Sequence, residues 1–400
     1  MADAEVIVVG GGPAGSSISA ALAESGRRVL LLDKATFPRH KACSDYVNAG
    51  GARILAEMGV LDELMTLGAK RIDGMAVYAP DGGRFTADFA GVEPGAAALG
   101  LSRRHLDMLL LDRAKAAGVT VCEAAHVRDL VRDGERVAGV NATIGGVHEC
   151  LRGPLVIGAD GRHSVVVRGL GLGAPLRWPR KTGLATHYRG VSGLNGIGEM
   201  FVGNDVYAGL APIEHGLVNL TIVVDDRALE ERTGTVEELF ASSLERLPTL
   251  ARAMEGGERV GGIRGVGSMG HRARRTAGDG YLLLGDAASF LDPFPGEGVY
   301  EALRAAQLAT PVIDAALTAR DTSASALDPY RLARRRAFTA KRQVCWIVQG
   351  FVNAPPLMNY VTDRLARREQ LGQTLSGVLA NLRPAKHALS PLFLARLLRP

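Results

Sequence analysis

The stretch from Glu5 to Asp33 constrains this 400-residue chain more than any other. Val6-Ile7-Val8-Val9 is a short, β-branched apolar run suited to a strand buried on both faces. It leads into Gly10-Gly11-Gly12-Pro13-Ala14-Gly15. Gly10 permits a tight turn, Gly12 lets a pyrophosphate approach the backbone, and Gly15 lets the next helix sit close to the strand. Ser16 to Ser25 reads as that helix, with Ile18, Ala21 and Leu22 on one side and Gly26 as its stop. Arg28 to Leu32 is a second buried strand and ends at Asp33, about 20 residues beyond the glycines. A carboxylate there accepts hydrogen bonds from ribose hydroxyls. Strand, glycines, helix, strand and acid in register predict a βαβ unit that binds a dinucleotide.

Two further stretches complete the pattern. Leu155-Val156-Ile157 is a buried strand delivering Gly158-Ala159-Asp160-Gly161-Arg162. Tyr281 to Leu284 is another, delivering Gly285-Asp286 and then Asp292-Pro293-Phe294-Pro295-Gly296-Glu297-Gly298 before a helix from Val299 to about Ala309. Ahead of both, Arg71 to Phe89 alternates as an antiparallel pair around Asp81-Gly82-Gly83, and Val127 to Ile144 forms a hairpin closed at Asp133-Gly134. A helix opens at Ser102 and continues to about Ala117. From about Leu176 to Gly267 the chain turns to longer alternating strands with one helix, Val236 to Leu244. The expected fold is therefore α/β: a Rossmann-like cofactor domain (1–70, 100–175 and 270–330) interrupted by a β-rich substrate domain (71–99 and 176–269). A C-terminal helical region (331–400), split at Pro355-Pro356, follows.

Cys43, Cys122, Cys150 and Cys345 lack metal-ligand spacing, so neither zinc nor a disulfide framework is expected. No apolar run reaches the roughly 20 residues of a membrane span, and the N-terminus enters a strand directly; a cytoplasmic location is expected. The net charge of +5 is uneven: from Arg331 onward Lys and Arg exceed Asp and Glu by 11, leaving −6 for the rest. Those basic residues alternate with apolar ones at helical spacing, and Val344, Ile347, Val348 and Phe351 share a face. This predicts a helical tail packed on the protein with its arginines solvated, not a nucleic-acid surface. The sharper alternative is a peripheral contact with anionic lipid.

From Ala4 to about Ala309 the chain resembles the FAD-dependent family of aromatic hydroxylases, flavin halogenases and geranylgeranyl reductases. The resemblance implies FAD, with its ADP half on Gly10, Gly12, Pro13, Ala14, Gly15 and Asp33, near Lys34 and Val127. It implies phosphate or ribityl contacts from Arg103, with Arg104 as the alternative, and Asp160 and Gly161 as the Asp-Gly motif. Gly285 and Asp286 match the Gly-Asp motif, and Pro293, Gly296 and Gly298 border the flavin, whose reduced charge the following helix N-terminus would stabilise. Arg39-His40-Lys41-Ala42-Cys43-Ser44-Asp45 is similar to the family loop beside the ring. Lys41 and Arg39 meet cofactor phosphates or solvent there, and Cys43 packs or donates a proton. Glu297 is open to solvation or contact; His187 and Tyr207 face substrate or serve as ordinary strand side chains.

The resemblance also frames the reaction. The halogenase signature Trp-x-Trp-x-Ile-Pro is absent, since Trp178 and Trp346 lie far apart. The reductase stretch Tyr-x-Trp-x-Phe-Pro is similar to Tyr207-Ala208-Gly209-Leu210-Ala211-Pro212, with both large aromatics replaced, which implies a widened pocket. The expectation is a monooxygenase hydroxylating a lipophilic aromatic or polyketide-like substrate through a flavin C4a-hydroperoxide, with Cys43 and Tyr207 as catalytic candidates. The alternative is reduction of carbon–carbon double bonds in a prenyl or polyene chain. No second nucleotide motif follows a strand, so electrons are expected from transiently docked NAD(P)H or from a partner reductase.

Overall fold

The computed structural model describes residues 3–399 apart from 179, 195, 232, 233, 268, 292, 293 and 295. Its cofactor sheet has six strands in the order 277–278, Tyr281–Leu283, Leu155–Gly158, Val6–Val9, Val29–Leu32 and Thr120–Cys122. All run parallel except the two-residue edge. The continuous burial of Val6–Val9, Val29–Leu32 and Leu155–Gly158 follows from cover on both faces. Helices Pro13–Glu24 and Gly298–Thr318 pack on one side through Ile18, Leu22, Ala309 and Ile313, while Val140, Val166 and Leu151 close the other.

A seven-stranded sheet stands beside it. Its order is Glu258–Val266, Lys181–Arg189, Leu217–Asp225, Val206–Pro212, Ile197–Val202, Gly74–Tyr78 and Arg84–Asp88. The 74–88 hairpin joins this sheet through a parallel pairing of Ile197 with Gly74, which no local pattern announces. One face packs Phe201, Leu220 and Ile222 against Phe240 and Leu250. The other packs Val77, Phe85, Met200 and Val223 against Val344, Val348, Val361, Leu365 and Leu375 of the C-terminal helices.

The C-terminal helices are Ala324–Val352, Pro355–Arg367, Glu369–Leu379 and Pro391–Leu398, and the first extends seven residues upstream of Arg331. Pro355 and Pro356 occupy the opening turn of the second, where a missing N–H costs nothing. The expectation of solvated cations fails at two positions: Arg334 and Lys341 are 4% and 5% exposed, turned inward to the carboxylates of Glu301 and Glu297. Trp178 and Trp346 meet with ring centres 5.2 Å apart. Among the described residues, no helix is long and apolar enough to cross a membrane.

Candidate functional site

Three neighbouring parallel strands bring the three glycine motifs to one edge. Ala159 N–H donates to Val9 O at 2.8 Å, Leu284 N–H to Gly158 O at 2.9 Å, and Gly10 N–H to Leu32 O at 2.7 Å. The close spacing dictates glycine. Gly10 has φ +103°, and a Cβ there would lie 2.5 Å from Ala159 O; a Cβ on Gly15 would lie 1.7 Å from Gly10 O. Gly285 abuts Ala14, whose Cβ is 3.2 Å from the position a side chain would need. Gly12 instead faces open space flanked by the guanidinium groups of Arg39 and Arg103, 3.6 and 3.8 Å from where its Cβ would be. Pro13–Glu24 begins at this spot with no side-chain cap. Free N–H groups, a helix dipole and two arginines around a bare backbone suit a pyrophosphate.

Asp33 is 8% exposed and accepts from Gly11 N–H at 2.7 Å through Oδ2 and from Ala35 N–H at 2.8 Å through Oδ1. Each oxygen retains a lone pair for a ribose hydroxyl. Arg103 grips the fully buried Asp107 with Nε at 2.6 Å and Nη2 at 2.7 Å, and Arg39 adds a third contact at 3.0 Å. Burial works against the Arg103 charge, but the paired Asp107 carboxylate outweighs it and raises its pKa. One carboxylate thus aligns two cations, leaving positive charge at the glycine loop.

Asp160 accepts from Val165 N–H at 2.7 Å through Oδ2, while its buried Oδ1 has no partner among the described residues. Burial pushes this carboxyl up, against hydrogen bonds from Ser164 and Val165. Beside it, Gly161 (φ +79°) opens toward Lys41 Nζ, which lies 4.0 Å from Asp286 Oδ2. An orphaned acceptor, a second carboxylate and a lysine line one groove, as the hydroxyls and phosphates of an extended cofactor require.

Other expected contacts sit at the margins. Lys34 is exposed, and Val127 packs with Leu30, Leu32 and Val165 in a core cluster. Pro293 lies outside the described residues. Gly296 (φ +66°) has room only for hydrogen, since a Cβ would come 2.6 Å from Tyr46 Cδ1, and Gly298 opens the helix Gly298–Thr318. Glu297 is not solvated: it is 6% exposed, 2.7 Å from Lys341 Nζ, and accepts from Asn381 Nδ2 at 3.0 Å.

Loop 39–46 turns on Asp45, which has φ +50° and is 4% exposed. Its carboxylate accepts from Arg103 N–H at 3.0 Å and Asn219 Nδ2 at 2.8 Å, and meets His187 Nε2 at 2.7 Å. His187 is therefore committed to this loop. The Cys43 thiol faces a polar cavity of about 280 Å³ with Arg103 and Arg104, and burial raises its pKa. A protonated, packed thiol results.

Ser44 and Tyr46 line the opposite cavity, about 470 Å³ and mostly apolar, with Met75, Met200, Tyr207 and Phe294. Tyr207 is 2% exposed, edge-on to Phe294 at 5.2 Å and under Lys181 Nζ at 4.8 Å. Gly209 and Ala211 do border this space. The widening expected from them is only partial, because Met200 Sδ lies 3.2 Å from where a Gly209 Cβ would be. Sequence reasoning assigned no role to Asp45, Asp107, Asn219, Lys341 or Asn381; only Asp107, one helical turn after Arg103, carried a local signal.

A family profile described as an FAD binding domain matches residues 3–344. Digeranylgeranylglycerophospholipid reductase 2 of Methanopyrus kandleri is 33% identical over 341 residues, covering 82% of this chain and 81% of that protein. The 6-methylpretetramide 4-monooxygenase of Streptomyces rimosus is 28% identical and covers 87% of this chain and 84% of its own length. Among solved structures, a flavin-dependent brominase superposes with TM-score 0.83 at 21% identity, covering 94% of this chain and 93% of its own. A geranylgeranyl bacteriochlorophyll reductase-like protein from Thermoplasma acidophilum gives 0.83 at 21% identity, with 98% of each chain covered. These two structures speak for the fold. With its glycine cradle and a family match spanning most of its length, the chain belongs to the FAD-binding family of flavin-dependent oxidoreductases.

Proposed function

We propose that this oxidoreductase draws a flexible lipophilic chain into the Tyr207 cavity and reduces carbon–carbon double bonds there. Bound FAD supplies the hydride, and the protein supplies binding, orientation and exclusion of water. Gly10, Gly12, Gly15 and Asp33 would take the ADP half, Arg39 and Arg103 the pyrophosphate, Asp160 and Asp286 hydroxyls of the linker, and residues 43–46 and 296–298 the ring. Electrons come from NAD(P)H or a partner reductase, which is oxidised as two hydrogens are added to each bond.

The observation that carries this reading is the cavity lining. Its side-chain polar groups are the hydroxyls of Ser44, Tyr46, Tyr207 and Thr221; Glu199 borders it with its carboxyl engaged by Tyr78 Oη at 3.1 Å. Met75 and Met200 bring adaptable thioethers suited to an alkyl chain. A hydroxylated polyketide would leave several buried polar groups unpaired here, each costing about 1–3 kcal/mol. The 33%-identical relative named a reductase supports the same reading. Hydroxylation is the second reading, favoured by the open space beside Ala211 and by the 28%-identical monooxygenase.

Dithionite-reduced enzyme, incubated without oxygen with a lipid bearing geranylgeranyl chains, should yield products enriched in hydrogen pairs by mass spectrometry. Unchanged lipid under those conditions, together with labelled oxygen incorporated into an aromatic substrate in air, would replace this reading by the second.

A further inference from the structure

We infer that the polar cavity on the Cys43 side of loop 39–46 is a binding site for a phosphate-bearing ligand. This site is separate from the apolar Tyr207 cavity across the loop, and it does not depend on which reaction the flavin performs. The cavity spans about 280 Å³ of space open to solvent, and its rim carries the cations Lys41, Arg104 and Arg264 beside the imidazoles of His40 and His187. Four separate parts of the chain supply these groups: the loop itself, the first turn of helix Arg103–Ala116, and strands Lys181–Arg189 and Glu258–Val266 of the large sheet.

Lys41 lies 4.0 Å from Asp286 Oδ2, but the two arginines are not neutralised from within. The side chains of Arg104 and Arg264 make no hydrogen bond or ion pair with any described residue. Their fields converge on His40, whose pKa is lowered by partial burial and then by Arg264, Arg104 and His187, against Asp45. Asp45, the one carboxylate of the lining, is 4% exposed and already shared among His187, Asn219 and the Arg103 N–H. It offers the two arginines nothing.

Like charges gathered around a concavity repel one another, and an anion placed between them relieves that repulsion. Guanidinium forks match phosphate oxygens, and donors arriving from several directions suit a tetrahedral, multiply charged group better than a planar monovalent carboxylate. Arg104 also stands in the opening turn of a 14-residue helix, whose dipole adds to the same preference. Two kinds of molecule carry such a group to a flavin: a pyridine dinucleotide that donates electrons, and a prenyl diphosphate that accepts them.

The test uses FAD-loaded protein and calorimetric titration with inorganic pyrophosphate, NADPH and geranylgeranyl diphosphate, so no turnover is needed and its failure leaves the proposed reaction standing. Pyrophosphate should bind, and Arg104→Ala and Arg264→Ala should each weaken it about tenfold. Arg335→Ala, at an exposed and remote position, should not. Arg104→Lys should retain part of the affinity, and FAD content should match wild type in every variant. Arginine-dependent binding of NADPH identifies the occupant as the electron donor, and of the diphosphate as the substrate headgroup. Pyrophosphate binding alone still supports an anion site. If none of the three binds, or if both alanine variants bind as wild type does, the inference is overturned.

Discussion

A methyl group on Gly15 would sit 1.7 Å from the Gly10 carbonyl oxygen, a contact no side-chain rotation relieves because the backbone fixes where a Cβ lies and the oxygen is itself backbone. Gly15→Ala must therefore push the helix Pro13–Glu24 off the strand and spoil the pyrophosphate face. We expect the purified variant to be colourless, with flavin absorbance reduced at least about tenfold, the equivalent of about 1.4 kcal/mol or more. A fully yellow Gly15→Ala protein would contradict the cradle. The role of this glycine was legible in the sequence because it follows from local geometry. Asp45 was not, since its partners His187 and Asn219 lie 142 and 174 residues away.

Helix Arg103–Ala116 shows how an element end is fixed from outside. Ser102 supplies no side-chain cap; instead Glu214, 3% exposed, accepts the Ser102 N–H at 2.9 Å and meets His105 Nδ1 at 2.8 Å. Burial alone would raise the Glu214 pKa, but hydrogen bonds from Ser102 lead a set that holds it below its ordinary value. A carboxyl with a depressed folded pKa stabilises the fold above its unfolded value and loses that contribution as the pH falls through the folded one. Glu214→Gln should therefore cost about 1.5–3 kcal/mol at neutral pH. The gap between variant and wild type, read by denaturant titration, should close as the pH falls below the ordinary carboxylate range. A gap that stays constant down to acid would assign the loss to packing. Helix Gly298–Thr318 departs in the opposite sense: the sequence pattern predicts an end near Ala309, and the helix runs on through Pro311. Ile313, Ala316 and Leu317 are buried in the core cluster shared with Ile18 and Leu22, and that packing outweighs the lost backbone hydrogen bond.

At the scale of the whole molecule, the C-terminal helices hold the segment beside the cofactor. Lys341 reaches Glu297 at 2.7 Å and also donates to Leu379 O at 3.0 Å and Asn381 Oδ1 at 3.1 Å. Gly50 N–H closes the circuit on Ala380 O at 2.8 Å. Burial raises the Glu297 pKa and Lys341 opposes this, so the pair is interdependent. Lys341→Met leaves a buried carboxylate without its partner, and a loss of about 3–5 kcal/mol is expected in thermal or denaturant unfolding. Adding Glu297→Gln should recover much of it. If the double variant is no more stable than Lys341→Met alone, the ion pair is not what joins these parts.

The sequence by itself determined the parallel βαβ unit, the three glycine motifs, the hairpins at Asp81-Gly82-Gly83 and Asp133-Gly134, and the break in the C-terminal helical region at Pro355-Pro356. Each depends on periodicity or backbone torsion within a few residues, so the code for it is local. Only the tertiary structure decided which carboxylates are structural, that Lys341 and Arg334 turn inward, that Met200 occupies part of the room Gly209 leaves, and that loop 39–46 separates a cationic cavity from an apolar one. Those outcomes are set by side chains that meet across the fold after long stretches of chain. Their energy comes from burial and pairing at the point of contact, and neither exists until the two sheets and the C-terminal helices have packed together.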